Sequence, residues 1–242
     1  MRLSLRSLLI CMTLASVVAA MIANRLHVRH RAIAIIEQHN VDISWDTDNG
    51  WLTIAMSAVA PRGCAQSITR LNINGEPLNG ELMWAVAQLR EVTEVTVRNT
   101  VVAEAECELL SRLPKLHTVS CHGSTIEPGA VRALCRSRSM RSLCLSFTNA
   151  TNDDCNHIAT SIALTDVWLS STRVTDVGLR SLAQSPYLTT VGISPEYITP
   201  AGLEDLLAQH PTLTVQCYGD DVFSDEWWAS IKRRYPQCRI NR

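Results

Sequence analysis

The chain has 242 residues, 46% of them hydrophobic, with 22 basic residues against 23 acidic ones and a net charge of −1. That length and apolar content allow a substantial core and exclude a polar disordered chain. The balanced charge, with no basic stripe in the body of the chain, argues against a nucleic-acid partner.

In chain order, residues 1–24 come first. Arg2 and Arg6 precede an uncharged run of seventeen residues, Ser7–Ala23. As a helix this run would be about 25 Å long, the lower limit for crossing a bilayer. Two readings stay open. A cleaved signal peptide has such a basic start, an apolar stretch and small residues such as Val18-Ala19-Ala20 before the cut. A retained transmembrane anchor accounts for Arg25, Arg29 and Arg31, which follow the run at once and suit a membrane flank. The basic residues on the two flanks balance, so they set no orientation. The expectation is a single-pass membrane protein attached through its N-terminal helix.

Residues 25–67 read as a basic connecting helix and an N-terminal cap. Arg25–Asn40 suits a helix with Ile33, Ile35 and Ile36 as its apolar contacts. Val41–Ile54 suits a strand or hairpin turned by Asp48-Asn49-Gly50. Residues 1–31 hold five arginines and no acids, which leaves 17 bases against 23 acids in the remainder. A basic tail beside an acidic body suits a membrane-surface protein.

Residues 68–242 are periodic. The apolar pairs Leu71/Ile73, Val95/Val97, Val119/Cys121, Leu143/Leu145, Val167/Leu169, Val191/Ile193 and Val215/Cys217 recur every 24 residues. A spacing of two within each pair points both members of a short strand to one face. Further columns keep the register. Leu78, Val102, Ile126, Ala150, Val174, Ile198 and Val222 form one. Met83, Cys107, Val131, Cys155, Leu179, Leu203 and Trp227 form a second. Val86, Leu110, Leu134, Ile158, Leu182 and Leu206 stand three residues after that, which suits one face of a short helix. A strand and a helix in 24 residues cannot bury their own apolar faces, so the units must stack. Pro211 and Pro236 are 25 apart, a one-residue shift near the end. Cys238-Arg239-Ile240 then reads as a terminal half-repeat strand, and Trp227, Trp228 and Ile231 as part of a closing helix.

The unit Leu164–Leu182, LTDVWLSSTRVTDVGLRSL, resembles the T-x-[IV]-T-D-x-G-L-x-x-L variety of leucine-rich repeat. That variety is seen in bacterial repeat proteins and in cysteine-containing or F-box-associated eukaryotic ones. The N-terminal Ser4-Leu5-Arg6-Ser7-Leu8-Leu9 is similar to the start of bacterial membrane-anchored leucine-rich-repeat proteins. The resemblance implies an α/β solenoid: a curved parallel sheet on the concave side, short helices on the convex side, and one apolar helix in front. It also implies a non-enzymatic scaffold that binds a protein on its concave sheet.

The strand alternation selects the residues of that face. Three columns flank the buried pairs, and most of their members are small and polar, as on an accessible sheet. Trp168 is the exception, and an aromatic residue at an outward position of a central repeat is a candidate binding hot spot. His122, Arg98, Asp166 and Tyr218 are candidates for its polar surround. The alternative is that Trp168 folds over its neighbours and fills surface space.

Nothing points to catalysis, a cofactor or a metal. There is no G-x-S-x-G elbow, phosphate-binding loop, G-x-G-x-x-G or H-E-x-x-H. His117, Cys121 and His122 cluster without the spacing of zinc ligands. Asp153, Asp154 and Asp176 stand where helices begin and suit capping. Nine cysteines show no disulfide spacing, and several occupy apolar columns. Free thiols favour the cytoplasmic side. Other classes remain: a substrate-recruiting subunit for protein modification or turnover, an enzyme or sensor built on loops, and a structural envelope component.

Overall fold

The computed structural model describes residues 5–39, 41–46, 67–218 and 223–241. The chain is an α/β protein with a mostly parallel sheet and a long N-terminal helix. That helix, α1, spans Leu5–Gln38 without a break at Asn24–Arg25. The strands are β1 (Asp42–Asp46), β2 (Ser67–Asn74), β3 (Glu94–Arg98), β4 (Val101–Val102), β5 (Thr118–Ser120), β6 (Thr125–Ile126), β7 (Ser142–Cys144), β8 (Asp166–Trp168), β9 (Thr190–Ile193), β10 (Thr214–Cys217) and β11 (Arg239–Asn241). Among the described residues the main sheet has the order β1-β2-β3-β5-β7-β8-β9-β10-β11, and β4 pairs with β6 beside it.

The register follows the 24-residue period. Leu71, Val95, Val119, Leu143, Val167, Val191 and Val215 align as direct partners across seven parallel strands. All are fully buried, and so are Ile73, Val97, Cys121, Leu145 and Ile193. The helical columns Cys107/Leu110, Cys155/Ile158, Leu179/Leu182 and Leu203/Leu206 join the strand columns in one core. Each Leu, Ile or Val withdrawn from water contributes roughly 1.5–3 kcal/mol. Each parallel strand must also reach its neighbour through a helix or loop, so strand and helix columns repeat together.

The ends are closed differently. At the N-terminal edge, β1 pairs antiparallel to β2 and bulges between Ser44 and Trp45. The second half of α1 adds Ala32, Ile33, Ile35 and Ile36 to the core. Arg29 pairs with Glu91 at 2.7 Å, and the Arg31 guanidinium lies 5.3 Å from the Trp84 ring centre. The Asp48-Asn49-Gly50 turn lies outside the described residues. At the other end, Phe223, Trp228 and Ile231 are buried, each one residue later than the 24-residue period requires. The helix Asp225–Arg234 is capped by Ser224, whose hydroxyl accepts from Trp227 N at 3.2 Å. β11 continues the sheet with Ile240 opposite Val215, 25 residues on. The extra residue therefore rotates the last helix by one position, which buries Trp228 and leaves Trp227 partly exposed.

Asp176 departs from the simple capping role. Its own helix is capped by Thr175, whose hydroxyl accepts from Val177 N. Its carboxylate instead accepts from Thr199 N at 2.8 Å and Thr199 Oγ1 at 2.7 Å in the next unit. Asn152 does the same one unit earlier, accepting from Thr175 N at 2.9 Å and Gly178 N at 3.0 Å. Stacking sets each Asn or Asp under the helix start that follows it. The approach leaves no room for a side chain, and a Cβ on Gly202 would collide with Asp176 Oδ1. Gly202→Ala is expected to cost about 1–3 kcal/mol. Urea denaturation of the single variant measures this; an unchanged midpoint would show that the carboxylate gives way freely.

Among the described residues no helix is long and apolar enough to cross a membrane, so the expected single-pass membrane helix is not shown. Downstream of Met12 the apolar stretch of α1 ends at Arg25, with Arg29 and Arg31 following. Over that part, Met12, Leu14, Val17, Val18, Met21 and Ile22 are all exposed.

Cysteines in the apolar columns are core residues. Cys107, Cys121 and Cys155 are fully buried free thiols. Burial pushes Cys121 and Cys155 up to about 12 and Cys238 up to about 11. A raised folded pKa means that the unfolded chain holds fewer protons at alkaline pH. Stability is therefore expected to stay level below the ordinary thiol range and to fall as pH rises through roughly 9 to 12. Denaturant midpoints at pH 7 and pH 10 test this, and equal midpoints would contradict it.

Candidate functional site

The sheet face opposite the core carries the alternate residues of each strand. A groove of about 570 Å³ opens there across β5 to β10, lined by Thr118, His122, Ser142, Cys144, Ser146, Phe147, Trp168, Ser170, Ser171, Ser194, Glu196 and Tyr218. Register explains the convergence. Cys144, Trp168 and Gly192 are direct partners on three successive strands. Two residues further along, just past the strand ends, lie the third outward residues of each unit, from His122 to Tyr218.

Trp168 is held by its neighbour's lack of a side chain. A Cβ on Gly192 would collide with Trp168 Cε3, so the indole lies against the backbone of β9. Its ring centre is 6.4 Å from that of Tyr218, with the planes inclined at 55°. Tyr218 is fixed in turn by donating its hydroxyl to Gln216 Oε1 at 2.7 Å. At the opposite end His122 packs against Phe147, with ring centres 4.9 Å apart. The groove thus has aromatic side chains at both ends and serine hydroxyls between them.

Three of the five sequence-selected residues, Trp168, His122 and Tyr218, share this groove, and the other two do not. Arg98 is exposed at the end of β3, two strands away from β7. Asp166 lies at the opposite end of its strand from Ser170 and accepts from Thr165 Oγ1 at 2.7 Å and Thr189 Oγ1 at 3.4 Å. The expectation that these small polar columns form an accessible sheet face needs correction at two positions. Ser146 and Ser170 are buried, because small side chains at the bottom of a groove are shaded by its walls.

Phe147 and Glu196 were not selected, because they lie in the turns that follow the outward columns. A signal for Phe147 exists in the sequence. Gly75, Asn99, Gly123, Phe147 and Ser171 are spaced by 24, and all adopt positive φ, from 51° to 71°. Glycine and asparagine accept that conformation readily, whereas a bulky side chain there is an outlier. Thr148 and Thr172 brace the same turns by donating to Leu145 O at 2.6 Å and Leu169 O at 2.7 Å. The turn thereby holds the Phe147 ring out in water, 58% exposed, at the rim of the groove.

Within the groove, one buried side-chain atom lacks a hydrogen-bond partner among the described residues. Ser170 Oγ is buried with no hydrogen bond. Such an atom costs roughly 1–3 kcal/mol while it stays unsatisfied. Cys121, part of the His117–His122 cluster, points into the core while His122 lines the groove. Among the described residues, no group of three or more His, Cys, Asp or Glu side chains is arranged to hold a metal ion.

Comparison with protein-family models finds no match. Comparison with curated proteins finds none either. Among solved structures, the chain is similar to an internalin (inlF) from Listeria monocytogenes, at 13% identity and a TM-score of 0.43, over 78% of this chain and 67% of that one. At that TM-score the likeness adds nothing to the fold, which rests on the strand register and the buried columns.

Proposed function

We propose that the protein is a non-enzymatic interaction scaffold of the leucine-rich-repeat class. Residues 68–242 form a curved solenoid that binds a protein partner on its concave sheet. The observation that carries this reading is the groove, where aromatic residues from separate units converge on a face that no other part of the described chain covers. Trp168, His122 and Tyr218 contribute contact area there, with Arg98 and Asp166 as flanking polar groups on the same sheet. Interfaces concentrate binding energy in such aromatic anchors.

The reading extends to the N-terminus. Residues 1–24 tether the scaffold to a membrane and residues 25–67 connect and cap it, with the solenoid on the cytoplasmic side. The uncharged run Ser7–Ala23, the bare apolar side chains from Met12 to Ile22, and the arginines that follow support this. Anchoring is tested by alkaline extraction of cell membranes: retention of the full-length chain in the pellet supports it, and release into the supernatant refutes it.

For the scaffold, a photo-crosslinking residue is placed at Tyr218 in the groove or at Arg180, exposed on a helix. Protein adducts from position 218 and none from 180 are expected. Adducts from 180 alone would move the interface to the helical side and favour an envelope component with contacts along its helices.

A further inference from the structure

We propose that the groove recognises the guanidinium of an arginine on the protein partner. This rests on the scaffold reading and names the chemistry its groove selects. Three observations carry it. First, Trp168 and Tyr218 present two aromatic rings at an angle, 6.4 Å apart. A cation within about 6 Å of an aromatic ring centre is attracted by the ring's quadrupole, and a planar guanidinium also stacks on it.

Second, the groove holds acceptors that a guanidinium can reach. Ser170 Oγ is buried without a partner, and the Glu196 carboxylate stands on the wall. A guanidinium offers five donors, enough to bond both to the carboxylate and to a lone pair of Ser170 Oγ. An apolar plug would leave Ser170 Oγ unsatisfied and strip water from Glu196. A lysine ammonium is compact and strongly hydrated, and presents no plane to the indole.

Third, the charge is complementary. No Lys or Arg lines the groove, so an anionic ligand finds no lysine or arginine counter-charge there. The body of the chain beyond the N-terminal arginines holds 23 acids against 17 bases, which attracts a basic segment over a longer range.

The test uses the full chain, kept in detergent, and fluorescein-labelled seven-residue glycine–serine peptides. One carries a central arginine, and the others carry lysine or uncharged citrulline in its place. Fluorescence polarisation is expected to show citrulline binding about tenfold more weakly than arginine, with lysine between them. Glu196→Gln, at an exposed position, should weaken the arginine peptide roughly fivefold and leave the citrulline peptide unchanged. Trp168→Ala should abolish binding of both. Equal affinity for arginine and citrulline overturns the proposal, as does an unchanged arginine affinity in Glu196→Gln, or no binding of any peptide. If arginine and citrulline bind equally, and Trp168→Ala still removes both, recognition of a cation fails while the scaffold reading stands. Loss of the scaffold reading itself would appear separately, as an absence of crosslinks from the groove.

Discussion

Trp168→Ala is expected to weaken partner capture by at least about thirtyfold, the scale of a binding hot spot. The same change should lower unfolding free energy by only about 1 kcal/mol. The asymmetry follows from where the indole sits. It is half-buried on the open face, resting on Gly192 and leaning towards Tyr218, while the core beneath it is made by Val167 and Leu169. Removing it uncovers Gly192 and leaves the strand ladder intact. Trp168→Phe should retain a flat ring and most of the affinity. A thermal midpoint more than about 8 °C lower in Trp168→Ala would assign Trp168 a structural role instead.

Leu143→Ala is expected to have the opposite profile, a loss of roughly 3–5 kcal/mol in unfolding free energy. Leu143 is fully buried on β7, at the middle of the aligned row, with Val119 and Val167 as direct strand partners. A cavity there is shared by three units, and each unit depends on its neighbours for its apolar contacts. That loss is a large part of the total for a marginally stable domain. Urea denaturation followed by circular dichroism measures it. A cost below about 1 kcal/mol would mean that position 143 does not face the core, and the whole row would be misassigned.

Both expectations draw on the repeat, and the repeat shows where local sequence suffices. Strand position, strand direction and inward columns depend on a period of two inside a period of 24. Both periods are carried by each unit's own residues. The same holds for the thiols in apolar slots. Arg98 and Asp166 illustrate the limit. They satisfy the outward alternation as well as Trp168 does, yet alternation says nothing about which outward residues meet across the sheet.

What the sequence by itself determined is the α/β strand-and-helix repeat, its register and its buried face, because each is set by spacing along the chain. Tertiary structure alone decided three other things. It brought Phe147 and Glu196 into the groove from turns whose direction depends on backbone φ and on the stacking of neighbouring units. It laid Trp168 over Gly192, a contact between residues 24 apart that exists only once β8 and β9 pair. And it left Ser170 Oγ buried and unpartnered, because burial of a side chain on a sheet depends on the height of the walls beside it, which is a property of several units at once.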